Sequence, residues 1–421
     1  MTRKKFEVEI KSEIGDLEAV ILHKPGVELE NMTPENAEKA LYSDILNLNI
    51  ALKEYEQFSG VLEKYTNVYY VMNLLEESLI DQKIRTKLIS KICKFEDQSL
   101  LLLDYLNSLN NKQLATELIE GVHLNRDNLT RFLSPDKYSL APLHNFFFTR
   151  DASSTIRNRI LINKMANSVR DRESFIMENI FNHNPFFSGV TVNPLDFKQD
   201  LTNLKIEGGD ILVARDDILI IGVGTRTSSQ GIDFILEYLK DNNLKREIIV
   251  QELPNKPESF IHLDMVFTLL DNNKCMVYEP LILKENKYQT IHISVDNGKV
   301  NKISYETNIL TALAKVGMYL EPLMCGGTKD KWTQEREQWH SGANFFAMGP
   351  GKVIGYARNS YTIEELNNNG FSVLKATDII NESISMDDYD KFVVTIEGSE
   401  LSRGGGGARC MTMPIKRKLI I

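Results

Sequence analysis

One unit recurs along this chain: strand, tight turn, strand, helix. Four segments carry it. NFFFTRDASSTIRNRILIN (145–163) leads into a helix expected over 169–182. EGGDILVARDDILIIGVG (207–224) leads into one at about 228–240. HLDMVFTLLDNNKCMVYEP (262–280) is a strand, an Asp-Asn-Asn turn and a strand. GANFFAMGPGKVIGYARN (342–359) turns at Gly-Pro-Gly and leads into a helix over 362–369. The N-terminal GDLEAVILHKPG reads as a fifth unit that lacks its second strand, which RCMTMPIKRK at the other end could supply. A unit that cannot bury its own face must stack on its neighbours, so repetition about every 60 residues points to a circular array.

Two stretches depart from this texture. Residues 35–65 and 74–135 read as helical. In the second, Leu75, Leu79, Ile80, Ile84, Leu88, Ile89 and Ile92 follow the spacing of an amphipathic helix. The expected organisation is an α/β body of residues 1–73 and 141–421, interrupted by a helical insertion at 74–140.

Composition narrows the function. The chain has 421 residues, with 49 Lys and Arg against 58 Asp and Glu, a net charge of −9. Such a chain lacks the basic face that sequence-independent nucleic-acid binding needs. No run of about 18 apolar residues predicts a membrane span, and the N-terminus lacks a signal-peptide core. The expectation is a soluble cytoplasmic protein. Its four cysteines, Cys93, Cys275, Cys325 and Cys410, are widely spaced without a CxxC, so neither a zinc cage nor a disulfide framework is expected.

Polar residues gather where the repeated units begin. Asn145, Arg150 and Asp151 open one unit, Glu207 and Asp210 the next, His262 and Asp264 the third, and Asn344 lies early in the fourth. Charged groups at equivalent places beside apolar strands imply a shared site. Cys410 follows Arg403, four glycines, Ala408 and Arg409. The glycines permit close approach of the backbone to a ligand, and Arg409 would draw the thiol towards thiolate. Cys410 is thus either a nucleophile or a small core residue. If His262-Leu263-Asp264 is a strand, its imidazole and carboxylate share one face. The pair would serve as a proton shuttle beside a cation-binding anion, or as a structural hydrogen bond; a metal pair lacks a third ligand at familiar spacing. Several carboxylates at strand starts suit a cationic substrate. Arg170 and Arg226 follow strands and would clamp a carboxylate if they face the cavity; otherwise they are solvated surface charges. Arg150 is expected to tie strands together.

Taken in order, SEIGDLEAVILHKPG, NFFFTRD, IEGGD, IHLDMVF, EREQWHSGANFFAMGPGKVIGYARN and LSRGGGGARCMTMP resemble the arginine deiminase family of guanidino-group-modifying enzymes. The resemblance implies a five-unit pseudo-symmetric α/β propeller. It implies hydrolysis of free L-arginine to L-citrulline and ammonia without metal or cofactor, in a homo-oligomer. It makes Cys410 the nucleophile and His262 the acid and base, with Glu207 orienting the imidazole and Asp151 and Asp264 gripping the guanidinium. Asn145, Phe148, Arg170 and Arg226 match positions that hold the amino-acid end. Some family members carry an Arg among the loop glycines that reaches the substrate carboxylate. Here that stretch is Gly404 to Gly407, leaving Arg403 or Arg409 to take over. Agmatine, methylated arginine, amidinotransfer, an unrelated Cys-His amidase and a non-catalytic scaffold are the competing readings.

Overall fold

The computed structural model describes residues 6–33, 37, 42, 44–96, 100–187, 190–196 and 203–420. Five small sheets follow one pairing rule: two antiparallel strands, then a third strand parallel to the second. The second sheet is Ser153–Ile156, Arg159–Ile162 and Val190–Val192. The third is Ile211–Arg215, Ile218–Val223 and Arg246–Glu252. It is extended at its edge by Thr290–Asp296 and Lys299–Glu306. The fourth is Phe267–Asp271, Lys274–Val277 and Glu321–Met324. The fifth is Phe346–Gly349, Lys352–Tyr356 and Phe392–Ile396, with Ser372–Lys375 beyond.

The first sheet obeys the same rule with strands from both ends of the chain. Leu17–Leu22 runs antiparallel to Met413–Arg417 and parallel to Asn67–Tyr70. The C-terminal strand therefore supplies the partner that the N-terminal unit lacks. It also lies against Ser153–Ile156, while Phe267–Asp271 lies against Phe346–Gly349.

Local chemistry accounts for the units. The hairpins turn on short polar or glycine-containing loops, such as Asn272-Asn273 and Pro350-Gly351, where Gly351 has φ +70°; that left-handed geometry is open to glycine without steric cost. Helices Asp171–His183, Ser229–Asp241 and Ser360–Asn368 make the crossovers that parallel pairing requires. Ser228 caps the second of these by accepting from the Gly231 amide at 3.2 Å. Phe267, Phe346 and Phe392 are fully buried between layers, each stabilising by about 2–3 kcal/mol.

The helical stretch comprises Val71–Ser78, Gln82–Phe95, Leu100–Ser108, Asn111–Glu120 and the short Leu129–Phe132. Its apolar face shares one core with Phe175, Ile176, Ile180 and Phe181 of the second sheet's helix. Within 35–65, expected to be helical, Leu48–Tyr65 forms a helix and Ala37 is helical as well. Residues 44–47 are not helical, and 34–36, 38–41 and 43 lie outside the described residues.

Candidate active site

Each of the five first strands is preceded by a turn, and each turn delivers a polar side chain. Asp151 precedes Ser153–Ile156, Glu207 precedes Ile211–Arg215, His262 and Asp264 precede Phe267–Asp271, Asn344 precedes Phe346–Gly349, and Cys410 precedes Met413–Arg417. Asp151, His262 and Cys410 line a cavity of about 780 Å³ together with Asn145, Phe148, Arg170, Arg226 and Arg403.

The imidazole is held on two sides. His262 Nε2 is 2.9 Å from Glu207 Oε2, and Nδ1 is 3.8 Å from Asp151 Oδ1. Burial opposes its charge, but Asp151 and the Glu207 hydrogen bond outweigh that and push its pKa up to about 9. The ring is an imidazolium at neutral pH. Burial likewise opposes the Glu207 anion; Arg226 at 3.5 Å and His262 nevertheless hold it far below the usual carboxylate range. Glu207 also accepts from the Ala166 amide at 2.9 Å, which fixes its orientation. Asp210 accepts from the Leu263 amide at 2.9 Å and so anchors the turn that carries His262.

The thiol sits between an acceptor and a donor. Cys410 Sγ lies 3.8 Å from Asp264 Oδ2 and 3.3 Å from Asn344 Nδ2. Burial, then Asp264, then Asp151 push its pKa well above that of a free thiol. Arg409 does pull it towards thiolate, as expected, but burial and the two carboxylates outweigh that pull. Arg409 points away, donating to Asp264 at 2.8 Å, to Glu13 at 3.1 Å and to the Ile211 carbonyl at 2.7 Å. Its guanidinium is spent on those acceptors, so its influence on the sulfur is the weakest of these.

Other placements also differ from the sequence reading. His262-Leu263-Asp264 is not a strand: Leu263–Met265 forms a 3₁₀ turn. His262 lines the cavity, while Asp264 lies fully buried behind the sulfur and outside the cavity lining. Arg409 is buried behind Asp264 and does not reach the cavity wall, so it is no contact for a substrate carboxylate. A three-ligand cluster, invisible to spacing, exists: Asp151, Glu207 and His262, without Asp264, place ligand atoms within 4.8 Å of one another. Arg170, 2.8 Å from Asp151, and Arg226, beside Glu207, already supply positive charge there and would repel a metal cation.

The arginines of the cavity are not equivalent. Arg170 is bound by Asp151 at 2.8 Å and by Glu173 at 2.8 to 3.2 Å. Arg403 at the mouth is held by Asp44 and Glu400. Among the described residues Arg226 pairs only with Glu207, at 3.5 Å, and it lines the cavity. Arg150 ties the turns before two first strands rather than the strands themselves, donating to Thr412 at 2.8 Å and to the Arg409 carbonyl at 3.3 Å.

Two glycines are required by close approach. A Cβ on Gly209 would stand 2.4 Å from His262 Nδ1, and one on Gly407 would stand 2.6 Å from Asn344 Cβ. Asn344, which donates to the sulfur and accepts from the Arg409 amide at 2.9 Å, carries a role that sequence reasoning did not assign. Its place at a strand start was the available signal.

The model of the family described as arginine deiminase matches residues 38–417. The chain belongs to the arginine deiminase family. The arginine deiminase of Bacillus cytotoxicus is 34% identical over 98% of this chain and 99% of its own. That of Treponema denticola is 33% identical over 98% of each. Among solved structures, the N-terminal domain of ArgZ, an arginine dihydrolase from cyanobacteria bound to product, is 13% identical with a TM-score of 0.52. The likeness covers 96% of this chain and 98% of that one. SxtG, an amidinotransferase from Microseira wollei, is 14% identical with a TM-score of 0.51, covering 98% of both chains. At these identities the likeness establishes the α/β fold. As a member of the arginine deiminase family the chain is a hydrolase of that type. No helix among the described residues is long and apolar enough to cross a membrane.

Proposed function

We propose that the chain hydrolyses free L-arginine to L-citrulline and ammonia through a covalent adduct on Cys410. The observation that carries this reading is the meeting of a buried thiol, an imidazolium and the Asp151 carboxylate at one cavity, with Asp264 directly behind the sulfur. A guanidinium carbon is a weak electrophile because its charge is spread over three nitrogens. Asp151 and Asp264 fix and localise that charge, and the substrate's cation in turn offsets the carboxylates that hold the thiol protonated. As the substrate's cation enters, the thiol gives up its proton to solvent, and the thiolate attacks the guanidinium carbon. His262 gives its proton to a terminal nitrogen, and ammonia leaves. Neutral His262 then takes a proton from water, whose oxygen attacks the same carbon. Collapse expels the thiolate and leaves the ureido group.

Arg226, with its open donors, takes the substrate carboxylate in this scheme; Arg170 stiffens Asp151 from behind. Asn145 and Phe148 pack along the amino-acid end. Arg403 stands at the entrance, where Asp44 and Glu400 hold it. The same reading places the five sheets around one axis as a five-unit propeller, with residues 1–73 and 141–421 catalytic and 74–140 an insertion. The repeated pairing rule and the strand shared between chain ends support that ring. A reducing cytoplasmic setting, without cofactor or nucleic-acid partner, suits four buried free cysteines, one of them the nucleophile. Self-association to a homo-oligomer belongs to the same reading.

The test is product formation. Purified protein given arginine, agmatine or methylated arginine should form a ureido product from arginine and little from the others. Cys410→Ala should form none. Full turnover in that variant would remove the covalent route, and preference for agmatine would remove the role of Arg226.

A further inference from the structure

A second cavity of about 440 Å³ opens between the hairpin of the second sheet and the helix Ser229–Asp241 of the third. It shares no lining residue with the active-site cavity. Its floor is apolar, formed in part by Leu161, Leu219 and Leu239. Its polar wall is cationic, and the charges there are unevenly compensated. Lys11 is paired with Glu9 at 2.7 Å and Arg157 with Asp216 at 2.9 Å. Arg159 and Arg246 have no ion-pair partner among the described residues. Arg246 is the more telling: it is only 5% exposed, and its guanidinium donates to the carbonyl of its own neighbour Lys245 at 2.8 Å. Asp216 and Asp217 stand near enough to favour its charge, yet neither pairs with it directly, and burial still works against a guanidinium without a contacting anion.

We propose that this cavity binds an organic phosphate monoester, with the phosphate between Arg159 and Arg246 and an apolar or aromatic body on the leucine floor. Two guanidiniums without a direct ion pair match the near-dianionic charge of a phosphate monoester at neutral pH, and their forked donors match its oxygens. A carboxylate would leave one of the two charges unmet. An inorganic anion would leave the floor uncovered. The site lies apart from the thiol, so its occupancy does not depend on the reaction proposed above.

Calorimetric titration of the full chain with phenyl phosphate, benzoate and inorganic phosphate tests this. Phenyl phosphate should bind at one saturable site, in the native protein and in Cys410→Ala alike, and more tightly than either other probe. Arg159→Gln, a change on a half-buried side chain, should weaken it about tenfold through loss of one charged hydrogen-bonding group, with citrulline formation unchanged. Arg246→Gln is the second variant and should weaken it at least as much. Absence of saturable binding at millimolar phenyl phosphate, or equal affinity in Arg159→Gln, overturns the site. Equal affinity for benzoate overturns the phosphate, and equal affinity for inorganic phosphate overturns the role of the floor.

Discussion

At Cys410, burial and two carboxylates oppose ionisation, and the nearest guanidinium is turned away to Glu13 and Asp264. The sign follows directly. Removing the charge of Asp264 favours the thiolate, both by deleting an anion 3.8 Å from the sulfur and by freeing Arg409. In Asp264→Asn the midpoint of iodoacetamide alkylation against pH should move down by about 1–2 units. Arginine turnover should fall about 100-fold, because a group that localises substrate charge is gone. An unmoved alkylation profile would take Asp264 away from the sulfur's electrostatics. Arg226 is the other residue whose environment makes a clear demand. The 3.5 Å contact with Glu207, its one ion pair among the described residues, leaves donors for a substrate carboxylate, so Arg226→Gln should raise KM for arginine about tenfold or more. Steady-state kinetics on arginine and agmatine side by side check this, since agmatine has no carboxylate to lose.

Among the elements, the turns before the first strands carry the chemistry, and their glycines are part of it. The Gly208–Asp210 turn packs its backbone against the His262 ring. In Gly209→Ala the new methyl must displace the imidazole from Glu207 and Asp151. The expected result is a loss in kcat of about 100-fold, against a loss of folding stability of only about 1–3 kcal/mol. A variant with native kcat would show that the ring tolerates displacement. These same turns show what was legible in the sequence. Hairpins, their crossover helices and the borrowed C-terminal strand could be read, because period and turn residues are local signals. The clustering of polar groups at strand starts could be read as well. The partners of Arg409 could not, because Glu13 lies 396 positions away and Asp264 lies 145 away. Nor could the geometry of His262 and Asp264, since three residues do not distinguish a strand end from a 3₁₀ turn. The two extra strands Thr290–Asp296 and Lys299–Glu306 were also missed, as they belong to no repeated unit.

Across the whole molecule, the sheets are tied behind the site by a buried set of charges centred on Glu13. Its carboxylate accepts from Arg409, its amide donates to the Val213 carbonyl at 2.8 Å, and Arg150 and Arg417 stand close enough to favour its charge. Arg417 donates to the carbonyls of Gly15 and Ala347 at 2.7 Å, joining the first sheet to the fifth. Glu13 thus links the N-terminal segment to the third sheet and to the arginines of the C-terminal segment. Burial works against its charge, yet the arginines hold its pKa down to about 2, below the usual 4.5. A depressed native pKa contributes stability that is complete above 4.5 and lost as pH falls through about 2. At about 1.4 kcal/mol per unit the contribution is about 3 kcal/mol. Glu13→Gln should therefore be about 3 kcal/mol less stable than the native chain at pH 7, with several buried guanidiniums deprived of their anion. The difference should narrow below pH 4.5 and close near pH 2. Urea unfolding at a series of pH values measures both curves. A gap independent of pH would mean that Glu13 acts by packing and hydrogen bonding alone, and that the charges behind the site do not hold the sheets together.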